Sequence, residues 1–97
     1  MGCEVEERGG LVRIRGEMTI YAASTLARDL LQRAADADSP CRIDLSEVSE
    51  IDTTGVQILL MVRRARSPDA EPIEVLAPSA AVTEALGLLR LGDVVGR

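Results

Sequence analysis

Ninety-seven residues suffice for one hydrophobic core and are too few for two, so a single domain spanning residues 1–97 is expected. Eleven arginines against sixteen carboxylates leave a net charge of −5, which argues against a nucleic-acid partner and against direct binding to an anionic membrane surface. Lys, His, Trp and Phe are absent and Tyr21 is the only aromatic residue, so the commonest general base, the commonest metal ligand and the phosphate-gripping lysine are all missing.

Residues 4–8 and 11–15 are short alternating segments split by Gly9-Gly10, a hairpin signal because both glycines can take positive φ. Val5 is the apolar residue of the first segment, which reads as an edge strand. Leu11, Val12 and Ile14 supply the second. After Gly16 the period changes. Ala23, Leu26, Ala27, Leu30, Leu31 and Ala34 form one stripe of an amphipathic helix, with Arg28, Asp29, Gln32, Arg33 and Asp36 on the opposite face.

Asp38-Ser39-Pro40 is expected to end that helix, residues 41–45 read as a short buried strand, and residues 46–51 read as an acidic loop. A second helix follows over residues 53–64, nearly apolar all round, so that part of it must pack on a sheet while some apolar area is expected to stay exposed. Arg63, Arg64 and Arg66 form the one dense basic cluster, placed where cations offset the helix dipole. Pro68 and Pro72 frame a surface turn before a strand at 73–76. Ser79 is the expected N-cap of a third helix whose inner face is Val82, Leu86 and Leu89, with Gly92 as its stop signal. The order β-β-α-β-α-β-α predicts an α/β fold: a four-stranded mixed sheet with one antiparallel hairpin and right-handed crossovers.

The run Glu50-Ile51-Asp52-Thr53-Thr54-Gly55-Val56 carries the most chemistry. Asp52 is placed as an N-cap, accepting from the backbone N–H of Thr54 or Gly55. Thr53 then falls on the first helical turn, at the positive end of the dipole, with its hydroxyl toward solvent. Gly55 weakens the helix by roughly 1 kcal/mol relative to alanine, which suggests close approach of another backbone or of a partner. Two readings of this stretch are open: a capped helix with a tolerated glycine, or a docking surface.

The sequence Asp44-Leu45-Ser46-x-Val48-x-x-Ile51-Asp52-Thr53-Thr54-Gly55-Val56-x-Ile58-Leu59-Leu60 resembles the signature of STAS domains, found in anti-sigma factor antagonists and in sulfate transporter tails. The element order and length match across nearly the whole chain. Thr19-Ile20-Tyr21-Ala22-Ala23 is similar to the way the family leads into its first helix. In the antagonists the hydroxyl directly after the Asp is phosphorylated by the partner anti-sigma kinase, a role the resemblance assigns to Thr53. Threonine there departs from the usual Asp-Ser-Ser-Gly. Another subgroup, with Asp-Thr-x-Gly, serves as the small accessory subunit of a lipid-transport ABC complex, where the threonine contacts the ATPase. Stand-alone STAS proteins associated with chemotaxis kinases look similar too.

The expected function is a non-catalytic regulatory module, with an ATPase or serine-kinase-type protein as partner. Its docking surface would be Asp52, Thr53, Thr54, Gly55, Gln57 and Met61, with Thr53 as phosphoacceptor. On this view Gly55→Leu should fold yet no longer bind. Catalysis is disfavoured because Asp44, Asp52 and the threonines make no nucleophile–base pair, and no phosphate-binding or dinucleotide glycine motif is present. Cys3 and Cys41, without Cys-x-x-Cys spacing, are read as reduced thiols, and no metal or cofactor is expected. With no long apolar run and no secretory pattern, a soluble cytoplasmic protein is expected.

Overall fold

The computed structural model describes residues 2–36, 42–66, 68–70 and 72–91. Strand β1 (Cys3–Arg8) pairs antiparallel with β2 (Leu11–Met18), and Arg8 lies opposite Leu11. Gly9 and Gly10 both have positive φ, 60° and 86°, as a two-residue type I′ connection requires. A 3-10 turn (Ile20–Ala22) then leads into helix α1 (Ala23–Ala35). Strand β3 (Arg42–Ile51) runs parallel to β2 and is followed by α2 (Thr53–Ala65). Strand β4 (Glu74–Leu76) runs parallel to β3, and α3 (Ala80–Leu88) comes last. The four strands lie in the order β1-β2-β3-β4, a mixed sheet as the element order predicts.

One face of the sheet carries the core. Val12, Ile14, Ile43, Leu45, Val48 and Val75 from the strands meet Leu26, Leu30 and Ala34 of α1, and Ala23, Ala27 and Leu31 pack at the margin. The α1 stripe read from the sequence is therefore the buried one. Val56, Ile58, Leu59 and Val62 of α2 and Val82 and Leu86 of α3 complete the same cluster. The opposite face carries charge. Arg15 bonds Glu6 at 3.1 Å and Glu47 at 3.0 Å, while Arg13 bonds Asp44 at 3.3 Å. Such pairs each contribute little to stability, and their effect here is to keep the uncovered face soluble.

Four expectations are corrected. Residues 46–51 are strand, not loop: β2 runs on to Met18, so Glu47, Val48, Glu50 and Ile51 find partners in Arg15, Gly16, Glu17 and Met18. The ten residues of β3 match the eight of β2 through two irregularities, between Arg13 and Arg15 and between Gly16 and Glu17. At the first of these the N–H of Ser46 donates to Asp44 Oδ1 at 2.8 Å. Arg66 does not serve the end of α2; it is buried, and its guanidinium donates to the carbonyls of Ala34 and Asp36 at 3.1 and 3.0 Å, satisfying the C-terminus of α1. Arg63 and Arg64 do occupy the last turn of α2.

Leu89 is exposed because α3 ends one residue before it, and the chain leaves through Arg90 at φ 56° with the N–H of Leu91 donating to the Leu86 carbonyl at 2.7 Å. The strand expected at 73–76 begins at Glu74, although Ile73 is buried. Ser79 caps α3 as expected, accepting from the N–H of Val82. The expected breaks at Asp38-Ser39-Pro40 and Gly92, and Cys41, lie outside the described residues.

Asp44 turns the irregularity in β3 into a pH-dependent element. Burial pushes its carboxyl up, but the backbone N–H and hydroxyl of Ser46 and the Arg13 guanidinium outweigh burial and hold it below its ordinary value of 3.8. A carboxyl lowered in this way contributes stability that is complete above the unfolded value and is lost as pH falls through the folded one. Asp44→Ala should therefore lower stability by about 1–2 kcal/mol at about pH 7. In urea titrations the gap between parent and variant should narrow on acidification below about pH 4. A gap independent of pH would remove the charged hydrogen bonds as its cause.

Candidate functional site

The parallel strands β2 and β3 finish side by side, with Met18 opposite Ile51, and both chains turn there. One runs through the Ile20–Ala22 turn into α1 and the other through Asp52 into α2. Asp52 holds the two turns together. Its backbone is extended, φ −113° and ψ −175°, and its Oδ1 accepts from the N–H of Gly55 at 3.0 Å. Its Oδ2 accepts from the N–H of Ile20 at 3.0 Å, and its own N–H donates to the Met18 carbonyl at 3.3 Å. The N-cap read from the sequence is thus present, with Gly55 as its donor. The bond to Ile20 is the part that sequence reasoning missed.

Gly55 explains why α2 can begin so close to β2. A Cβ at this position would lie 2.2 Å from the Met18 carbonyl oxygen and 2.8 Å from Ile51 Cγ1. The close approach expected at Gly55 is therefore internal. The residue is buried, and its expected place on the partner surface is corrected: a side chain there would collide with the protein's own backbone. Thr54 is half-buried. Thr53, Gln57 and Met61 are exposed, with Met61 at 44%. Successive residues four apart drift by only about 40° around a helix, so these three share one outward strip of α2.

Two residues at the same end had not been expected in the site. Ile20 is 63% exposed and Tyr21 89%, the largest exposed apolar surface beside Asp52. The available signal was an Ile-Tyr pair between strand and helix that belongs to neither apolar pattern. Thr19, at the start of this turn, is buried, and its hydroxyl has no hydrogen-bond partner among the described residues. Leaving a buried hydroxyl unpaired costs about 1–3 kcal/mol.

Two surface grooves lie beside the hairpin. One, of about 410 Å³, is lined by Glu6, Glu7, Arg8, Leu11, Arg13 and Arg15 on the charged side of the hairpin. The other, of about 140 Å³, lies between β1 and α1 and includes Cys3, Ala22 and Asp29. Among the described residues no three His, Cys, Asp or Glu side chains are grouped to hold a metal ion. No helix among them is long and apolar enough to cross a membrane.

The sequence profile of the family described as "Mlab, STAS domain" matches residues 2–96. The chain belongs to the STAS domain family. Among solved structures, this STAS domain is similar to an anti-sigma factor antagonist from Mycobacterium paratuberculosis, with 25% identity and a TM-score of 0.79 over 96% of this chain and 80% of that one. It also shares its fold with the anti-sigma factor antagonist SpoIIAA in its unphosphorylated form, at 21% identity and a TM-score of 0.70 over 96% of this chain and 84% of that one. A comparison with curated proteins gave no match.

Two substitutions test the architecture of the site. Asp52→Ala removes both carboxylate bonds and should cost about 1–3 kcal/mol, whereas Asp52→Asn retains one acceptor and should fall between that variant and the parent in chemical denaturation. Equal stability of all three proteins would show that neither bond contributes. Gly55→Ala should destabilise by at least about 1–3 kcal/mol, because α2 must move off Met18 to admit a methyl group. A gain in melting temperature, as expected for alanine in an unconstrained helix, would show that the contact yields without cost.

Proposed function

We propose that this STAS domain is a non-catalytic, cytoplasmic regulatory module of the anti-sigma factor antagonist type. It docks on an ATPase or serine-kinase-type protein through the outward strip at the start of α2 and is released by phosphate on Thr53. The observation that carries the proposal is the placement of Thr53: exposed, on the first residue of α2, directly after the doubly bonded Asp52. The family membership and the likeness to an anti-sigma factor antagonist support the same reading.

The physics of the switch is local. A phosphate on Thr53 adds about −1.5 to −2 charge at neutral pH. The Gly55 N–H is taken by Asp52, but those of Thr53 and Thr54 have no intrahelical partner by position, and with the dipole they accommodate that charge without a change of fold. Glu50 and Asp52 stand beside Thr53 in the chain, so the docking strip becomes strongly acidic at its upper end. A partner seated on Thr53, Gln57 and Met61 then faces both repulsion and the desolvation of a dianion.

Affinity purification of the tagged chain from its native host, with mass spectrometry of the bound proteins and of Thr53, tests the proposal. An ATPase-domain protein is expected with the parent and with Thr53→Ala. Little of it should bind Thr53→Glu, although a single negative charge reproduces a phosphate incompletely. Thr54→Ala should leave phosphate incorporation intact. Equal binding of parent, Thr53→Ala and Thr53→Glu would remove the switch from this residue. Capture of an ABC-type ATPase, abolished by Thr53→Ala and with no phosphate found, would replace it with a constitutive accessory subunit.

A further inference from the structure

Helices α1 and α2 pack beside one another over the same face of the sheet, so their outer surfaces point to the same side of the molecule. The charge of that side is opposite to the charge of the chain. The two helices contain Arg28, Arg33, Arg63 and Arg64 against Asp29 alone, in a protein whose net charge is −5. Asp29 is bonded to Arg33, which also reaches Glu7 on β1. Among the exposed side chains of α1 and α2 stand Arg28 and Arg64, and no carboxylate. Neither of these arginines forms an ion pair among the described residues.

Helical geometry joins Arg64 to the strip already described. It follows Gln57 by seven residues, which returns it to within about 20° of the same direction, about 10 Å further along the axis. The strip of Thr53, Gln57 and Met61 therefore runs on and ends on a cation. On α1, Arg28 lies two residues from both Leu26 and Leu30, about 160° round the helix from each, and so faces away from the core. A cation in the last turn of a helix offsets its dipole, which gives Arg64 a role inside the fold. Arg28 stands in the middle of α1, where the dipole gives it none.

We propose that Arg28 and Arg64 are the charged part of the docking surface, and that the ATPase-domain partner meets them with an acidic patch. This rests on the reading of α2 given above and names the chemistry of the partner. It also accounts for the sense of the proposed switch. A phosphate on Thr53 would draw a basic partner closer, whereas it repels one that brings carboxylates to the same helix. Arg64 stands three residues after the half-exposed Met61, so a carboxylate paired with it is held against apolar surface, where a bidentate pair is strongest. A second copy of this chain would set the same arginines against one another, so self-association through this side is opposed by charge.

The experiment places the photo-crosslinking residue benzoylphenylalanine at position 61, beside Arg64, or at position 32, beside Arg28, of the full chain in its native host. Peptides attached on irradiation are identified by mass spectrometry. The protein attached through position 61 is purified and titrated with the parent, Arg64→Glu, Arg64→Lys, Arg28→Glu and Arg8→Glu. Arg8 is exposed on β1, so its substitution makes the same change of net charge away from the helices. Both positions are expected to attach to one ATPase-domain protein, at segments carrying Asp or Glu. Arg64→Glu and Arg28→Glu should each weaken binding by about tenfold or more, Arg64→Lys and Arg8→Glu should stay within about threefold of the parent, and affinity should fall as salt rises. All the substituted side chains are exposed, and thermal unfolding verifies that each variant is folded. An affinity indifferent to Arg64→Glu or to Arg28→Glu, or an equal loss with Arg8→Glu, overturns this inference and leaves the α2 reading in place. So does attachment of position 61 to a segment of that protein without a carboxylate. Failure of position 61 to attach to an ATPase-domain protein, or its attachment to a second copy, removes the α2 reading, and this inference with it.

Discussion

The end of the molecule where β2 and β3 finish is organised around one carboxylate. Asp52 uses one oxygen for the N–H of Gly55 and the other for the N–H of Ile20, and its backbone N–H reaches the Met18 carbonyl. Two chain segments more than thirty residues apart are thereby fixed to one another. Gly55 makes the arrangement possible, because no other side chain would let the first turn of α2 rest on Met18. With Gly55 turned inward, helical geometry places Thr53 and Gln57 outward, so the exposure of the proposed phosphoacceptor follows from the burial of the glycine.

The rest of the domain serves to hold that end rigid. Among the described residues the helices cover one face of the sheet, and on the other face the side chains are charged and paired across β1, β2 and β3. The two irregularities in β3 let a ten-residue strand end level with an eight-residue one, which brings Asp52 beside the turn after Met18. Arg66, buried against the carbonyls of Ala34 and Asp36, ties the far end of α2 to the far end of α1. Both helices that flank the site are therefore constrained at both ends by polar contacts as well as by the shared core.

A scaffold of this kind suits a switch that acts by charge. The first turn of α2 offers backbone donors to an added phosphate, and the fold need not rearrange to receive it. In the proposed switch the consequence would be felt by the partner, which would meet an acidic surface where the strip on α2 had run from polar to apolar.

The sequence by itself determined the element order, the Gly9-Gly10 connection, the α1 stripe, the caps at Asp52 and Ser79 and the family signature, because each is written in local spacing or in a single side chain. It also determined that Thr53 begins a helix directly after its cap. It misread residues 46–51, whose polar composition resembles a loop until β2 supplies their hydrogen-bond partners. It could not show that Gly55 faces Met18, that Arg66 serves a different helix, or that Asp52 also holds Ile20. These contacts join residues about thirty or more positions apart, and no periodicity or propensity encodes which distant backbone atom a carboxylate or guanidinium will meet. Only packing the two helices onto the same sheet face decided them, and with them which side chains at the start of α2 are left for a partner.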